Sequence, residues 1–196
     1  MWYAILLISG YGRAEYATNR PAVRGRLENG TPVTPVLIII DVQRGFINPA
    51  TAHVPARVDA LQGRYGTVIV TRFVNPEGSA HRRLIGWTRF APGSDDTALA
   101  FTPRMGVRVV EKCAYSCLTA EVRAMLDAAG AGEVHLCGIA TDNCVLASAI
   151  ALFEGGYTPV VLADACASHA GADYHDWGLR ILRRLIGVTQ VRQGTP

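Results

Sequence analysis

Of the nineteen lysines and arginines in this chain, Lys112 is the single lysine and the other eighteen are arginine. An ammonium is a compact point charge whose pKa moves readily on burial, whereas a guanidinium stays charged and spreads that charge over a planar fork. The competing reading of one ammonium kept among arginines is chance, and it is the position of Lys112 that points to electrostatic work. Lys112 ends the apolar run Val107-Arg108-Val109-Val110-Glu111-Lys112. Asp41 closes a second run, Val36-Leu37-Ile38-Ile39-Ile40. A carboxylate so placed is partly desolvated, which raises its proton affinity and suits it to general acid/base work; the competing role is a cap. Cys144 sits in the first turn of the best-defined helical pattern. There the helix dipole and a nearby lysine can lower a thiol pKa from ~8.5 into roughly the 3.5–7.5 range. The competing role is a small packing residue at a strand–helix junction. A thiol, a carboxylate and an ammonium together make a nucleophilic site: the carboxylate takes the thiol proton and the ammonium stabilises negative charge. A strand-to-helix turn adds N–H donors for an oxyanion. No local motif pairs Cys144 with a histidine, although folding could bring His81, His135 or His169 near.

The elements that must position these groups follow from hydrophobic patterning. Buried strands are expected at Val36 to Ile40, Thr67 to Thr71, Arg108 to Glu111, Glu133 to Cys137 and Thr158 to Ala163, with a last short one at Gly187 to Val191. Helices are expected at Pro55 to Arg64, about Thr119 to Ala129, Asp142 to Glu154 and Asp173 to Leu185. A short one near His81 to Gly86 interrupts the long connection from Asn75 to Arg104. In the third of these helices Val145, Leu146, Ala149, Ile150, Leu152 and Phe153 form one stripe at 3.6 spacing, and Gly155-Gly156 stops it. Continuous apolar strands separated by helices mean an α/β fold, a parallel sheet covered on both faces. Ligands bind such sheets outside the carboxyl ends of the strands, near a topological switch point. Asp41, Lys112 and the 138–144 segment all follow carboxyl ends.

At 196 residues the chain fits one domain with a sizeable core. Residues 1–34 lack periodicity and are expected to form a poorly ordered N-terminal extension, with the domain at 35–196. Hydrophobic residues make up 49% of the chain and the net charge is +3, with no basic stripe interleaved with aromatics, so no nucleic-acid partner is expected. The longest apolar stretch, Pro35 to Ile40, is far too short to span a bilayer, and no membrane partner is expected. Five cysteines without an export signal point to free thiols in a reducing cytoplasm. Cys113, Cys117, Cys137 and Cys166 are expected in the core. The C-x-x-x-C spacing of Cys113 and Cys117 has no second pair to complete a metal site.

Three motifs together resemble the isochorismatase-like cysteine hydrolases, among them nicotinamidases and N-carbamoylsarcosine amidases. Val36 to Phe46, containing Asp41-Val42-Gln43, looks like the family's first strand and catalytic Asp. Val110-Glu111-Lys112 looks like the strand ending in its lysine. Gly138-Ile139-Ala140-Thr141-Asp142-Asn143-Cys144-Val145, followed by Gly155-Gly156-Tyr157 and Ala163-Asp164-Ala165-Cys166, looks like its nucleophile segment. The resemblance runs from Pro35 to about Val191. It implies a doubly wound, six-stranded, mostly parallel sheet, usually in homodimers or homotetramers. It implies Cys144 as nucleophile, Asp41 as base and then acid, and Lys112 as electrostatic partner. A cis peptide between Ile139 and Ala140 is also implied, with an oxyanion hole made by the N–H groups of Ala140 and Cys144. The substrate it implies is a small amide, ureide or carbamoyl compound, and Phe46, Trp87 and Tyr115 fall in or near segments that face the family's pocket.

The departures from the pattern also inform. Where nicotinamidases carry Asp and His metal ligands, this chain reads Thr71-Arg72-Phe73-Val74-Asn75-Pro76, and His81 alone cannot rebuild that site. No metal and no cofactor are therefore expected. Isochorismatases proper typically lack the nucleophilic cysteine, so Cys144 favours amide chemistry. A non-catalytic scaffold of the same fold is the first alternative, opposed by the three catalytic positions. A nucleotide-binding doubly wound domain is the second, opposed by Asp41-Val42-Gln43-Arg44-Gly45-Phe46 where a G-x-G-x-x-G turn would stand.

Overall fold

The computed structural model describes residues 35–194, so the expected extension at 1–34 lies outside the described residues. The run Val36–Ile40 forms β1, and all five of its side chains are buried. A strand apolar on both faces is stable only in the middle of a sheet with cover on each side. β1 accordingly pairs with β2 (Thr67–Phe73) on one side and β4 (Glu133–Ile139) on the other, both in parallel. β3 (Arg108–Lys112), β5 (Thr158–Ala167) and β6 (Val191–Arg192) complete the order β3-β2-β1-β4-β5-β6. Every ladder is parallel. After β3 the chain crosses back over β1 to start β4, so the switch point lies between the carboxyl ends of β1 and β4.

Among the described residues five α-helices connect the strands: α1 (Val54–Gln62), α2 (Ala80–Ile85), α3 (Ala120–Ala128), α4 (Leu146–Glu154) and α5 (Ala172–Ile186). Thr119 caps α3 by accepting from the Val122 N–H, and Ser79 caps α2 through Arg82. No helix among the described residues is long and apolar enough to cross a membrane.

Three local expectations are corrected. The strand expected over Gly187 to Val191 is mostly a 3-10 turn, Val188–Gln190, with only Val191–Arg192 pairing at the sheet edge. Gly187 adopts φ 105° and turns the chain out, and Val188, whose apolar character suggested a strand, is exposed. The helix expected from Asp142 begins instead as a π turn, Thr141–Val145, before α4 proper. Of its stripe, Val145, Ala149 and Leu152 are buried and Phe153 is exposed. Cys113 also lies exposed rather than in the core, one residue past the end of β3 where the backbone leaves the sheet.

Candidate active site

Register brings the site together. Ile40 lies opposite Thr71 on one flank and Gly138 on the other, so Asp41 emerges at the switch point between them. Asp41 takes φ 50°, a left-handed conformation that Asp tolerates better than most residues. Thr71 donates from Oγ1 to Asp41 Oδ1 at 2.8 Å, which fixes the carboxylate plane. Gly138 must be glycine: its φ is 122°, and a Cβ there would stand 2.1 Å from the Ile40 carbonyl oxygen. The close approach of β4 to β1 depends on that missing side chain.

Phe73 pairs with Lys112 across β2 and β3, which carries the ammonium toward the same end of the sheet. Lys112 Nζ lies 2.6 Å from Asp41 Oδ2, and both side chains are fully buried. The pair is close, but without the alignment of a good hydrogen bond, so Oδ2 keeps lone pairs for another donor. Nζ also donates to the carbonyls of Ala114 (2.8 Å) and Tyr115 (3.1 Å). Cys144 Sγ is 3.6 Å from the same Nζ. Burial by itself would lower the Lys112 pKa, but the Asp41 carboxylate, with smaller help from Cys144, holds it above the ordinary lysine value.

The thiol departs from the sequence reading. Burial pushes Cys144 far above the ordinary thiol range, Asp41 adds to the rise, and Lys112 offsets only part of it. The expected depression by the helix terminus and lysine fails because Cys144 lies in a buried π turn beside an anion. Burial and the Asp41 carboxylate thus both favour the protonated thiol, beside a carboxylate that is itself paired with an ammonium. The peptide bond Ile139–Ala140 is cis.

Cys144 and Ala140 open into a cavity of about 380 Å³. Phe46, Trp87 and Tyr115, suggested by the sequence as substrate contacts, all line it. Phe73, His81, Ile85, Arg89, Asn143 and His169 line it too, and sequence reasoning assigned none of these to the pocket. The Phe73 ring lies 5.6 Å from Trp87 and 5.0 Å from His81, and Phe46 stacks 4.1 Å from Phe90. Arg89 is held by Asp96 through Nε and Nη2, so its charge is matched. His81 is buried with neither ring nitrogen bonded to a protein group. Burial, then the Lys112 charge, lowers its pKa. His169 is likewise lowered by burial, and its ring sits 5.0 Å from Phe46. His135 stays away from the site, with its two nitrogens on Tyr65 and Glu133.

Thr71 and Gln43 are the functional positions whose roles the sequence reading missed. Buried Gln43 donates to the carbonyls of Phe73 (2.9 Å) and Thr97 (3.1 Å) and accepts from the Phe73 N–H (2.8 Å). It thereby clamps the pocket connection onto β2. A polar residue opposite the last residue of β1 is the only local signal for Thr71, and it needs the strand pairing to be read.

The six-stranded parallel sheet with its helices is an α/β three-layer fold, and a carboxylate, an ammonium and a thiol converge at its switch point as a candidate nucleophilic site. A sequence model described as the Isochorismatase domain matches residues 35–193, and the chain belongs to the isochorismatase family. Isochorismatase domain-containing protein 2 of Xenopus laevis is 27% identical over 164 residues, covering 81% of this chain and 67% of that protein. Two solved structures share the fold. Pyrazinamidase of Pyrococcus horikoshii in complex with zinc has a TM-score of 0.71 at 19% identity, covering 83% of this chain and 99% of the other. N-carbamoylsarcosine amidase from Thermoplasma acidophilum has a TM-score of 0.66 at 26% identity, covering 82% and 96%. The described residues of this chain do not fit a zinc site. No three His, Cys, Asp or Glu side chains come together as a metal-binding group among the described residues. Asn75, the one weak ligand in its region, has its Oδ1 accepting from Ser79 Oγ, while its Nδ2 donates to the carbonyls of Trp87 (2.8 Å) and Arg89 (2.9 Å).

Proposed function

We propose that this hydrolase cleaves the C–N bond of a small neutral amide, ureide or carbamoyl compound through a thioester on Cys144. The observation that carries this reading is the wholly buried Asp41–Lys112 pair set against the Cys144 thiol. In the scheme, Asp41 removes the thiol proton as sulfur attacks the carbonyl carbon, so no free thiolate accumulates. The N–H groups of Ala140 and Cys144 hold the oxyanion. Asp41 hands the proton to the departing amine or ammonia, leaving the acyl group on sulfur. Asp41 then deprotonates a water that attacks the thioester; the acid departs and the proton returns to sulfur. Lys112 stays charged throughout, because Asp41 and two carbonyls hold it in place, and it offsets the negative charge that builds nearby.

Charge matching favours a neutral substrate. Lys112, buried behind the cavity, is balanced by Asp41, and Arg89, which lines it, by Asp96, so neither cation is left over for a substrate carboxylate. The aromatic walls suit a flat acyl group. The amidase from Thermoplasma acidophilum supports amide chemistry as a relative in fold and sequence. Five free cysteines suit a reducing cytoplasm, and a homo-oligomer is the assembly we adopt.

Ammonia release across a panel of small amides, ureas and carbamoyl compounds tests the reading. Cys144→Ala, Asp41→Asn and Lys112→Ala should each nearly abolish turnover, with double variants little worse, since the three act as a unit. Lys112→Arg should also be poor, because a planar fork cannot fill the ammonium site. Substantial activity in Cys144→Ala would end the covalent scheme. Treatment with EDTA should leave the rate unchanged; loss restored by zinc would return metal-dependent chemistry to first place.

A further inference from the structure

Cys144 and the two N–H groups proposed for the oxyanion sit in one short turn. From within, that turn is tied by the Ala140 carbonyl, which accepts from the Asn143 N–H at 3.1 Å and the Val145 N–H at 3.0 Å. From outside it is held by α5. Gly178 lets the helix backbone close on the turn: an added Cβ would stand 2.8 Å from the Asp142 nitrogen and 3.0 Å from the Thr141 carbonyl carbon. Three residues earlier, on the same face of α5, His175 Nδ1 meets Thr141 Oγ1 at 2.7 Å. Thr141 is wholly buried and opens the π turn. Leaving a buried hydroxyl unpaired is unfavourable, so this bond pins the start of the turn to the helix.

We propose that His175 is a positioning residue for the reaction: through Thr141 it holds the turn so that the Ala140 and Cys144 N–H groups and the sulfur keep one aim. The proposal rests on Cys144 as the nucleophile. Thr141 stands between the two oxyanion donors in sequence, and such donors act only at about 2.7–3.1 Å from the developing charge. A small shift of the turn is therefore felt by the reaction. Neither His175 nor Thr141 lines the cavity beside Cys144; His175 faces instead a second cavity, shared with His53. Its effect should then fall on kcat and leave KM alone. Burial lowers the His175 pKa, against a smaller upward pull from Asp176, so the ring is neutral at neutral pH. A neutral ring holds Thr141 in either tautomer, accepting from the hydroxyl or donating to it. A bond that served only the fold would make activity follow stability from variant to variant.

Steady-state kinetics of the full chain, beside hydrogen exchange of the 138–146 amides, tests this. His175→Leu fills much of the ring's volume and favours the helix, yet should lower kcat about tenfold or more with KM within about twofold of the parent. Exchange across the turn should quicken. His175→Asn puts an oxygen and a nitrogen two bonds from Cβ, where the imidazole has Nδ1. It should restore both readouts although asparagine is the poorer helix former. His175→Gln, one bond longer, should restore neither. Thr141→Val removes the same bond from the other side, so the double variant Thr141→Val, His175→Leu should be little worse than either single one. Normal kcat or unchanged exchange in His175→Leu would overturn the proposal. So would kcat values that track the urea midpoints of the His175 variants, or losses that add in the double variant. Turnover in Cys144→Ala would strike down the thioester scheme itself, a result distinct from all of these.

Discussion

At the residue scale, the site works by holding protons where burial would otherwise misplace them. Asp41 and Lys112 have each other as counter-ion, and the energy of leaving either buried alone would be several kcal/mol. Cys144 has no counter-ion to itself, and burial favours its protonated form. Alkylation by iodoacetamide should reflect this. The ordinary thiol pKa is near 8.5, and the buried Cys144 lies well above its ordinary value. Its thiolate fraction should therefore keep rising beyond pH 9, and the inactivation rate with it. A plateau near neutral pH would reveal a preformed thiolate–ammonium pair instead. Thr71→Val keeps the shape of the side chain but removes the donor to Asp41 Oδ1. A loss of roughly 1–3 kcal/mol in transition-state stabilisation, read as kcat/KM, is expected. Unchanged kcat/KM with reduced stability alone would make Thr71 a packing residue.

At the element scale, two glycines let backbones approach where a side chain would intervene. Gly138 admits the end of β1 against β4, and Gly178 admits α5 against the nucleophile turn. Gly178→Ala would place its methyl 2.8 Å from the Asp142 nitrogen and 2.9 Å from its Cα. Alanine is the better helix former by about 1 kcal/mol, so an exposed position would gain stability. Here the overlap should win, with a loss of about 1–3 kcal/mol in urea unfolding and a fall in kcat as the turn carrying Cys144 shifts. A more stable, fully active variant would show that α5 can move without disturbing the turn. The π turn itself was legible only as the start of a helix, because its pattern is set by how Ala140 accepts from Asn143 and Val145.

For the whole molecule, burial of thiols predicts the pH range of stability. Cys117 is pushed up to about 11 and Cys166 to about 12 by burial, and burial raises Cys137 and Cys144 as well. Tyr65 is raised to about 12, also mainly by burial. Each of these groups holds its proton more tightly in the folded state than in the unfolded chain. Their contribution is complete below the unfolded thiol pKa near 8.5 and is lost as pH rises toward the folded values. Urea midpoints should be level around pH 7.5 and fall steeply from about pH 9. Each thiol adds roughly 1 kcal/mol per pH unit to the slope. Midpoints level to pH 10.5 would mean that these thiols are far less buried than the sheet implies.

The chain alone determined the class of fold and pointed to the three candidate site positions, Asp41, Lys112 and Cys144. Continuous apolar runs, their polar ends and the glycines that stop helices are local facts, and β1 and β3 start where those runs predict. Folding decided what depends on neighbours across the sheet. Cys144 and Lys112 are 32 residues apart in sequence and 3.6 Å apart in space. The protonation of the thiol, the hold of Thr71 on Asp41 and the aromatic walls around His81 all arise from such pairings. Along α5, Leu179 and Leu182 are buried while Tyr174, Trp177, Ile181 and Leu185 stay exposed, a division that apolar residue type alone does not carry. A periodic pattern records that a side chain is apolar, whereas what covers it is decided by the surfaces that the rest of the chain leaves beside it.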